Sequence, residues 1–276
     1  MSSNQEIKVL LEQYDLNIKD IKGTGPGGEV TVEDVERYIK EKYFPKVKRE
    51  VRVVGIRKII SERLSKSYRE AVHVTVNMEV FMDNLSKLRE NISSEYSMKI
   101  PYTVLLLKLI SMTLSEFPDV NSALENGKIV EYGSVNINIA VDSPIGLVTP
   151  VIRDVNLKGL KELIKDYEDV ISRAKEAKLK QVDFVGGTFT ITNLGMFGVD
   201  YFNPIINPPQ AAILGINRIV EKPRVLDNEI KIVKTMNLSL TFDHRIIDGA
   251  EASRFLLKLK SYIEKPEEII NIKEVK

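Results

Sequence analysis

The chain contains no cysteine, which removes disulfides, thiolate metal sites and a cysteine nucleophile from its chemistry. Histidine is nearly as scarce. His73 and His244 are the only two in 276 residues and stand far apart in the sequence, so no zinc centre is expected. An excess of one charge is also lacking: 40 Lys+Arg against 39 Asp+Glu leave a formal charge of +1, no basis for a nucleic-acid partner. No apolar run reaches membrane length. The longest, Val104 to Leu114, is interrupted by Lys108 and ends ahead of Pro118, which predicts a buried core helix. No basic-then-apolar leader opens the chain, and the expectation is a soluble, cytoplasmic protein with one large domain and a small satellite.

What is present divides into three stretches, expected at 1–42, 43–50 and 51–276. The first reads as a two-helix domain. Ser3 with Glu6, and Thr31 with Asp34, are capping-box patterns; Ile7, Leu10, Leu11 and Tyr14 follow one at helical spacing, Val35 and Ile39 the other. Between them, Gly23-Thr24-Gly25-Pro26-Gly27-Gly28 lacks the preceding strand and the lysine of a phosphate cradle, so it reads as a tight loop. The second stretch is a short polar linker. In the third, helix and strand signals mix. A helix is predicted over Arg57 to Arg69, a strand over Val72 to Val80, and another over Ser134 to Val141. An amphipathic helix follows from Leu160 to Ala174, then strands over Thr188 to Thr192 and Gln210 to Ile216, and a hairpin from Val225 to Val233 around Asp227-Asn228.

The stretch richest in chemistry is Thr241-Phe242-Asp243-His244-Arg245-Ile246-Ile247-Asp248-Gly249. Leu238, Leu240 and Phe242 alternate with Asn237, Ser239 and Thr241, the period of a half-buried strand. Ala252, Phe255, Leu256, Leu259 and Ile263 then recur at helical spacing. His244 therefore stands at a strand-to-helix junction, able to take a proton near neutral pH. Asp248 could hold a neighbouring cation or fix the turn. His73 falls on the polar face of its strand, where packing explains it as well as chemistry does.

This string resembles the His-x-x-x-Asp-Gly signature of the dihydrolipoyl acyltransferases, core components of 2-oxo acid dehydrogenase complexes, and a related motif of chloramphenicol acetyltransferase. Other segments extend the resemblance in the family's order. These are Ile56-Arg57-Lys58, His73-Val74-Thr75, the run from Gly187 to Gly195 (GTFTITNLG), and the run from Asn203 to Gly215 containing Pro204-Ile205-Ile206-Asn207-Pro208-Pro209. The first forty residues resemble the family's peripheral subunit-binding domain. The fold so implied is α+β: a chloramphenicol-acetyltransferase-like mixed-sheet sandwich behind a small two-helix domain.

The resemblance also implies roles. His244 would be the base that deprotonates the incoming thiol, Thr192 would occupy the place of a serine that donates to the oxyanion, and Asp248 would order the turn with Arg57 as its partner. Coenzyme A would be a substrate. The lipoyl group would be carried on another domain or chain, because the family's lipoyl domain has no counterpart in these residues. Expected partners are that lipoyl domain, a 2-oxo acid decarboxylating dehydrogenase, dihydrolipoyl dehydrogenase and two further copies of the chain, with no nucleic acid and no membrane. The family's loop arginine is replaced by Glu29, and Lys8 stands where arginine is usual, so altered partner choice is expected. Cages would grow from trimers through an apolar C-terminal anchor, here Ile269, Ile270 and Ile272. Two alternatives stay open: a scaffold without activity, and an acyltransferase for a small soluble acceptor.

Overall fold

The computed structural model describes residues 3–270, and the chain forms two units that divide between Val53 and Val54. In the first unit, α1 (Ser3–Gln13) and α2 (Val32–Tyr43) bury Ile7, Ile21, Val35 and Ile39 in a core of their own. Ser3 already lies inside α1, so it is not the cap that the Ser3/Glu6 pattern suggests. The Thr31/Asp34 capping box does form: Thr31 Oγ1 accepts from the Asp34 N–H at 3.2 Å, and the Asp34 carboxylate accepts from the Thr31 N–H at 3.0 Å.

Asp34 also organises the glycine-rich loop. Its carboxylate accepts from the Thr24 N–H and hydroxyl, each at 2.8 Å, and pairs with Arg37. The loop closes tightly enough that a Cβ on Gly23 would come within 2.3 Å of the Gly28 carbonyl oxygen. The Thr31 N–H holds the Asp34 carboxyl well below the usual carboxylate range. Burial opposes that shift, and the groups of Thr24 with the Thr31 hydroxyl reinforce it. A depressed carboxyl contributes stability above its unfolded pKa of about 4, and that contribution is lost as pH falls towards the folded value. Amide protection in α1 and α2, taken relative to the intrinsic exchange rate at each pH, should therefore fall below about pH 4. In Asp34→Asn protection should already be lower at neutral pH and depend less on acid. Equal protection in both proteins at every pH would remove Asp34 from this role.

The second unit is built on a six-stranded mixed sheet, with its remaining elements in chain order as follows. After α3 (Gly55–Glu70) come β1 (His73–Phe81), α4 (Asp83–Glu95) and α5 (Tyr102–Glu116). The hairpin β2 (Ser122–Glu125) and β3 (Lys128–Glu131) precedes β4 (Ile137–Ile139), β5 (Val141–Ser143), β6 (Gly146–Val148) and β7 (Val151–Ile152). Then come α6 (Leu160–Lys175), β8 (Phe189–Asn193), β9 (Ala212–Leu226), β10 (Glu229–Asp243) and α7 (Gly249–Glu264). The sheet order is β1-β10-β9-β8-β4-β7, parallel at β9/β8 and β8/β4 and antiparallel elsewhere. The predicted strand over Gln210 to Ile216 and the predicted hairpin are parts of the 15-residue strands β9 and β10. Asp227 and Asn228, both at positive φ, make the two-residue turn between them.

Alternation gives this sheet two unlike faces. One carries Val74, Val76, Leu238, Leu240, Phe242, Leu214, Ile216, Phe189 and Ile191 into a core shared with α4, α5, α6 and α7. α5 is apolar on nearly every side and is buried accordingly. The other face carries Thr75, Asn77, Asn237, Ser239, Thr241, Gly215, Asn217, Thr190 and Thr192. It is roofed in part by residues 199–210. Phe202 lies so near Gly215 that a Cβ there would meet its ring at 2.8 Å. Arg218 N–H donates to the Val199 carbonyl, and Ser67 Oγ to the Ile206 carbonyl at 2.6 Å.

The C-terminal anchor is a correction in part. Ile270 is 4% exposed in the core of its own chain, and Ile269 packs partly against that core. An isoleucine buried at home withholds its burial, about 1.5–3 kcal/mol, from a neighbouring trimer. Ile272 lies outside the described residues. Among the described residues, no helix is long and apolar enough to cross a membrane.

Candidate active site

His244 follows the last residue of β10, and its backbone N–H donates to the Val72 carbonyl at 2.9 Å. Asp243, just before it, is held on all sides. Its N–H donates to the Ala211 carbonyl, and its own carbonyl accepts from the N–H groups of Ile246 and Ile247. The Asp243 carboxylate, 5% exposed, accepts from the Val72 N–H at 3.2 Å, the Arg245 N–H at 3.1 Å and Arg245 Nη2 at 2.6 Å. Burial alone would raise the Asp243 carboxyl. The hydrogen bonds from Arg245 and Val72 outweigh it and hold the group below its ordinary value. This tight turn carries the His244 ring to the surface, 44% exposed and tilted against Phe242 at a centroid distance of 5.8 Å.

Asp248 sits at the N-cap of α7, 86% exposed, with Oδ1 3.8 Å from His244 Nδ1. That is too long for a hydrogen bond, and the pair attracts only when the imidazole is protonated. Among the described residues Asp248 has no ion pair with Arg57, the partner expected from the resemblance. The carboxylate hydrogen-bonded across the turn is that of Asp243. Its signal in the sequence was an aspartate closing an alternating strand, two residues before an arginine.

His73 is tied down by both ring nitrogens. Nδ1 lies 3.1 Å from the Ala71 carbonyl oxygen, and Nε2 accepts from the Ile206 N–H at 3.2 Å. Only the neutral tautomer with hydrogen on Nδ1 satisfies both contacts, which leaves no lone pair free for base chemistry. Beside it, a cavity of about 430 Å³ opens on the polar face, lined by Tyr68, His73, Thr75, Asn77, Asn203 and Thr241.

β8 presents two hydroxyls on that face, and their surroundings differ. Thr190 is 1% exposed, donates to Gln210 Oε1 at 2.5 Å and accepts from Asn207 Nδ2 at 3.1 Å. Thr192, two residues on and partly exposed, has no hydrogen-bond partner for its hydroxyl among the described residues. Register then fixes how far it lies from His244. Thr192 pairs with Gly215, and Gly215 with Ser239, five residues before His244 on the next strand. That is about 17 Å along the strands and about 10 Å across two strand spacings, on the order of 20 Å in all. Within one chain the two side chains do not meet.

Two family models match the sequence. Residues 45–271 match the 2-oxoacid dehydrogenases acyltransferase (catalytic domain), and residues 7–36 match the e3 binding domain. The dihydrolipoyllysine-residue succinyltransferase component of the 2-oxoglutarate dehydrogenase complex of Haemophilus influenzae is 34% identical over 288 residues. That match covers 96% of this chain and 70% of the relative. Among solved structures, the Azotobacter vinelandii dihydrolipoamide acetyltransferase superposes with a TM-score of 0.77 at 33% identity, over 82% of this chain and 98% of that one. That structure addresses the role of a serine, a histidine and an asparagine in catalysis, separated by the same two intervals as Thr192, His244 and Asp248. The cubic core of a pyruvate dehydrogenase multienzyme complex superposes with a TM-score of 0.77 at 32% identity, over 82% of this chain and 98% of that one.

Proposed function

The chain belongs to the 2-oxoacid dehydrogenase acyltransferase family, with an e3 binding domain ahead of its catalytic domain, and from that premise we propose how its residues move an acyl group between a dihydrolipoyl arm and coenzyme A. His244 takes the proton of the attacking thiol. The thiolate adds to the thioester carbonyl, and the Thr192 hydroxyl donates to the oxygen that becomes negative. Collapse of the tetrahedral intermediate breaks the old carbon–sulfur bond, and the departing sulfur recovers the proton from His244. A base in reach of the thiol is worth about 10²–10⁴ in rate, and an oxyanion donor about 10²–10³. Asp248 places a carboxylate oxygen 3.8 Å from Nδ1 of the imidazolium that exists between the two proton transfers. No acyl-enzyme is needed, since no activated nucleophile stands beside His244 among the described residues.

One observation carries this reading: the Thr192 hydroxyl has no partner among the described residues, yet it lies on the order of 20 Å from His244 in its own chain. Base and oxyanion donor then come from different copies, as in a ring of identical subunits with head-to-tail contacts. A trimer is the smallest such ring that the family resemblance offers. The Azotobacter enzyme supports the assignment by its matching intervals, with serine and asparagine where this chain has Thr192 and Asp248. The small unit would recruit the decarboxylating dehydrogenase and the dihydrolipoyl dehydrogenase, and Glu29 alters the charge it offers them. The cubic core among the similar structures supports a cage built from the trimers. The cytoplasm, where coenzyme A and 2-oxo acids meet, is the compartment that fits.

The test of function is an assay of acyl-CoA with free dihydrolipoamide and a lipoylated domain. Transfer to both is expected. No turnover with any acyl-CoA would make the chain a scaffold, and transfer only to an unrelated small acceptor would move it to another reaction.

A further inference from the structure

Asp243 touches neither of the reacting sulfurs in the scheme above, yet it is the most thoroughly bonded residue around His244. Its side chain is 5% exposed, against 86% for Asp248. The Val72 peptide grips the turn at two points: its N–H reaches the Asp243 carboxylate at 3.2 Å, and its carbonyl accepts the His244 N–H at 2.9 Å. Arg245 closes the other side, with Nε at 3.0 Å and Nη2 at 2.6 Å from the two carboxylate oxygens. Residues 243 to 245 are thus fastened as one piece to the junction between α3 and β1. Nothing comparable holds Asp248, whose side chain forms no cap on α7.

We infer that Asp243 is the positioning residue for His244: its carboxylate, clamped between Val72 and Arg245, sets the place and direction of the imidazole. This inference rests on His244 being the base. The physical reason is that a base must meet the thiol proton at hydrogen-bond distance, and misplacement by about 1 Å costs on the order of 100-fold in rate. A buried carboxylate bonded to both a peptide N–H and a guanidinium is stiff, because loosening any one bond leaves a desolvated charge behind. An exposed aspartate at 3.8 Å has no such stiffness. Asp243 thus performs the ordering that the family resemblance gives to Asp248.

The test is a set of variants made in the full chain. Asp243→Asn keeps the shape and one acceptor for Val72 but loses the charge that binds Arg245. It should lower kcat about 10- to 100-fold, with KM for coenzyme A and for dihydrolipoamide within about threefold of wild type and an unchanged oligomer. Arg245→Gln should produce a smaller loss of the same kind, and it serves as the second route if Asp243→Asn does not fold. The deciding readout is coupling. In a Thr192→Ala background Asp243→Asn (or Arg245→Gln) should multiply the loss, because the two residues act separately. In a His244→Ala background it should add almost nothing, because the residue that it positions is gone. An equal fold-loss in both backgrounds, or an effect confined to KM, would overturn the inference. Near-normal activity of His244→Ala by itself would instead overturn the base assignment, and the two failures are told apart on that variant.

Discussion

His244→Ala should lower kcat by at least about 100-fold while the oligomer stays intact. The ring is 44% exposed in the single chain and packs only by tilting against Phe242, so its loss opens no cavity in the core. The turn survives as well, because it is held by Asp243 and by the His244 backbone N–H, neither of which needs an imidazole. What disappears is the acceptor for the thiol proton. The incoming thiol is mostly protonated at neutral pH, and no other free imidazole is at hand, since His73 has both nitrogens engaged. The residual rate should rise with pH as the thiol ionises without help. A variant with near-wild-type kcat at neutral pH would remove His244 from the mechanism.

Thr192→Ala should act mainly on kcat, by about 100-fold or more, with little change in KM. The oxyanion exists only after the thiolate has added, so a hydroxyl aimed at it cannot contribute to substrate binding. Thr192 is free for this role because its hydroxyl has no partner among the described residues, whereas Thr190 on the same face is fully engaged with Gln210 and Asn207. Thr192→Ser retains the donor and removes a methyl at a partly exposed position, so most activity should remain. A loss confined to KM in Thr192→Ala would make the residue a wall of the substrate path. A large loss in Thr192→Ser would mean that the methyl is needed for packing.

Much of the sheet was legible where alternation ran long enough. Leu238, Leu240 and Phe242 against Asn237, Ser239 and Thr241 marked β10, and the helical spacing from Ala252 marked α7. Short elements escaped. The hairpin of β2 and β3 has a readable Asn126-Gly127 turn, with both residues at positive φ, but four-residue strands are too short for a period to register. α4 carries Leu85, Leu88 and Ile92 on one side, but its N-cap is Met82, which gives no start signal. In the site, His244 and Thr192 stood out as candidates by motif and hydroxyl. Their separation was not legible, since it depends on the pairing of β8 with β9 and of β9 with β10, contacts between residues remote in sequence. That Asp243 is buried and Asp248 exposed was hidden for a related reason, since burial depends on the same remote contacts.

The most direct measurement mixes two inactive proteins. Chains carrying His244→Ala and chains carrying Thr192→Ala are co-expressed so that they assemble together, and activity per site is compared with each variant alone. A site that draws His244 from one copy and Thr192 from the next is intact in about one arrangement out of four, so the mixture should regain about a quarter of wild-type activity. No recovery above the two separate variants would place both residues in a site of one chain, contradicting the separation on the order of 20 Å that the strand register gives.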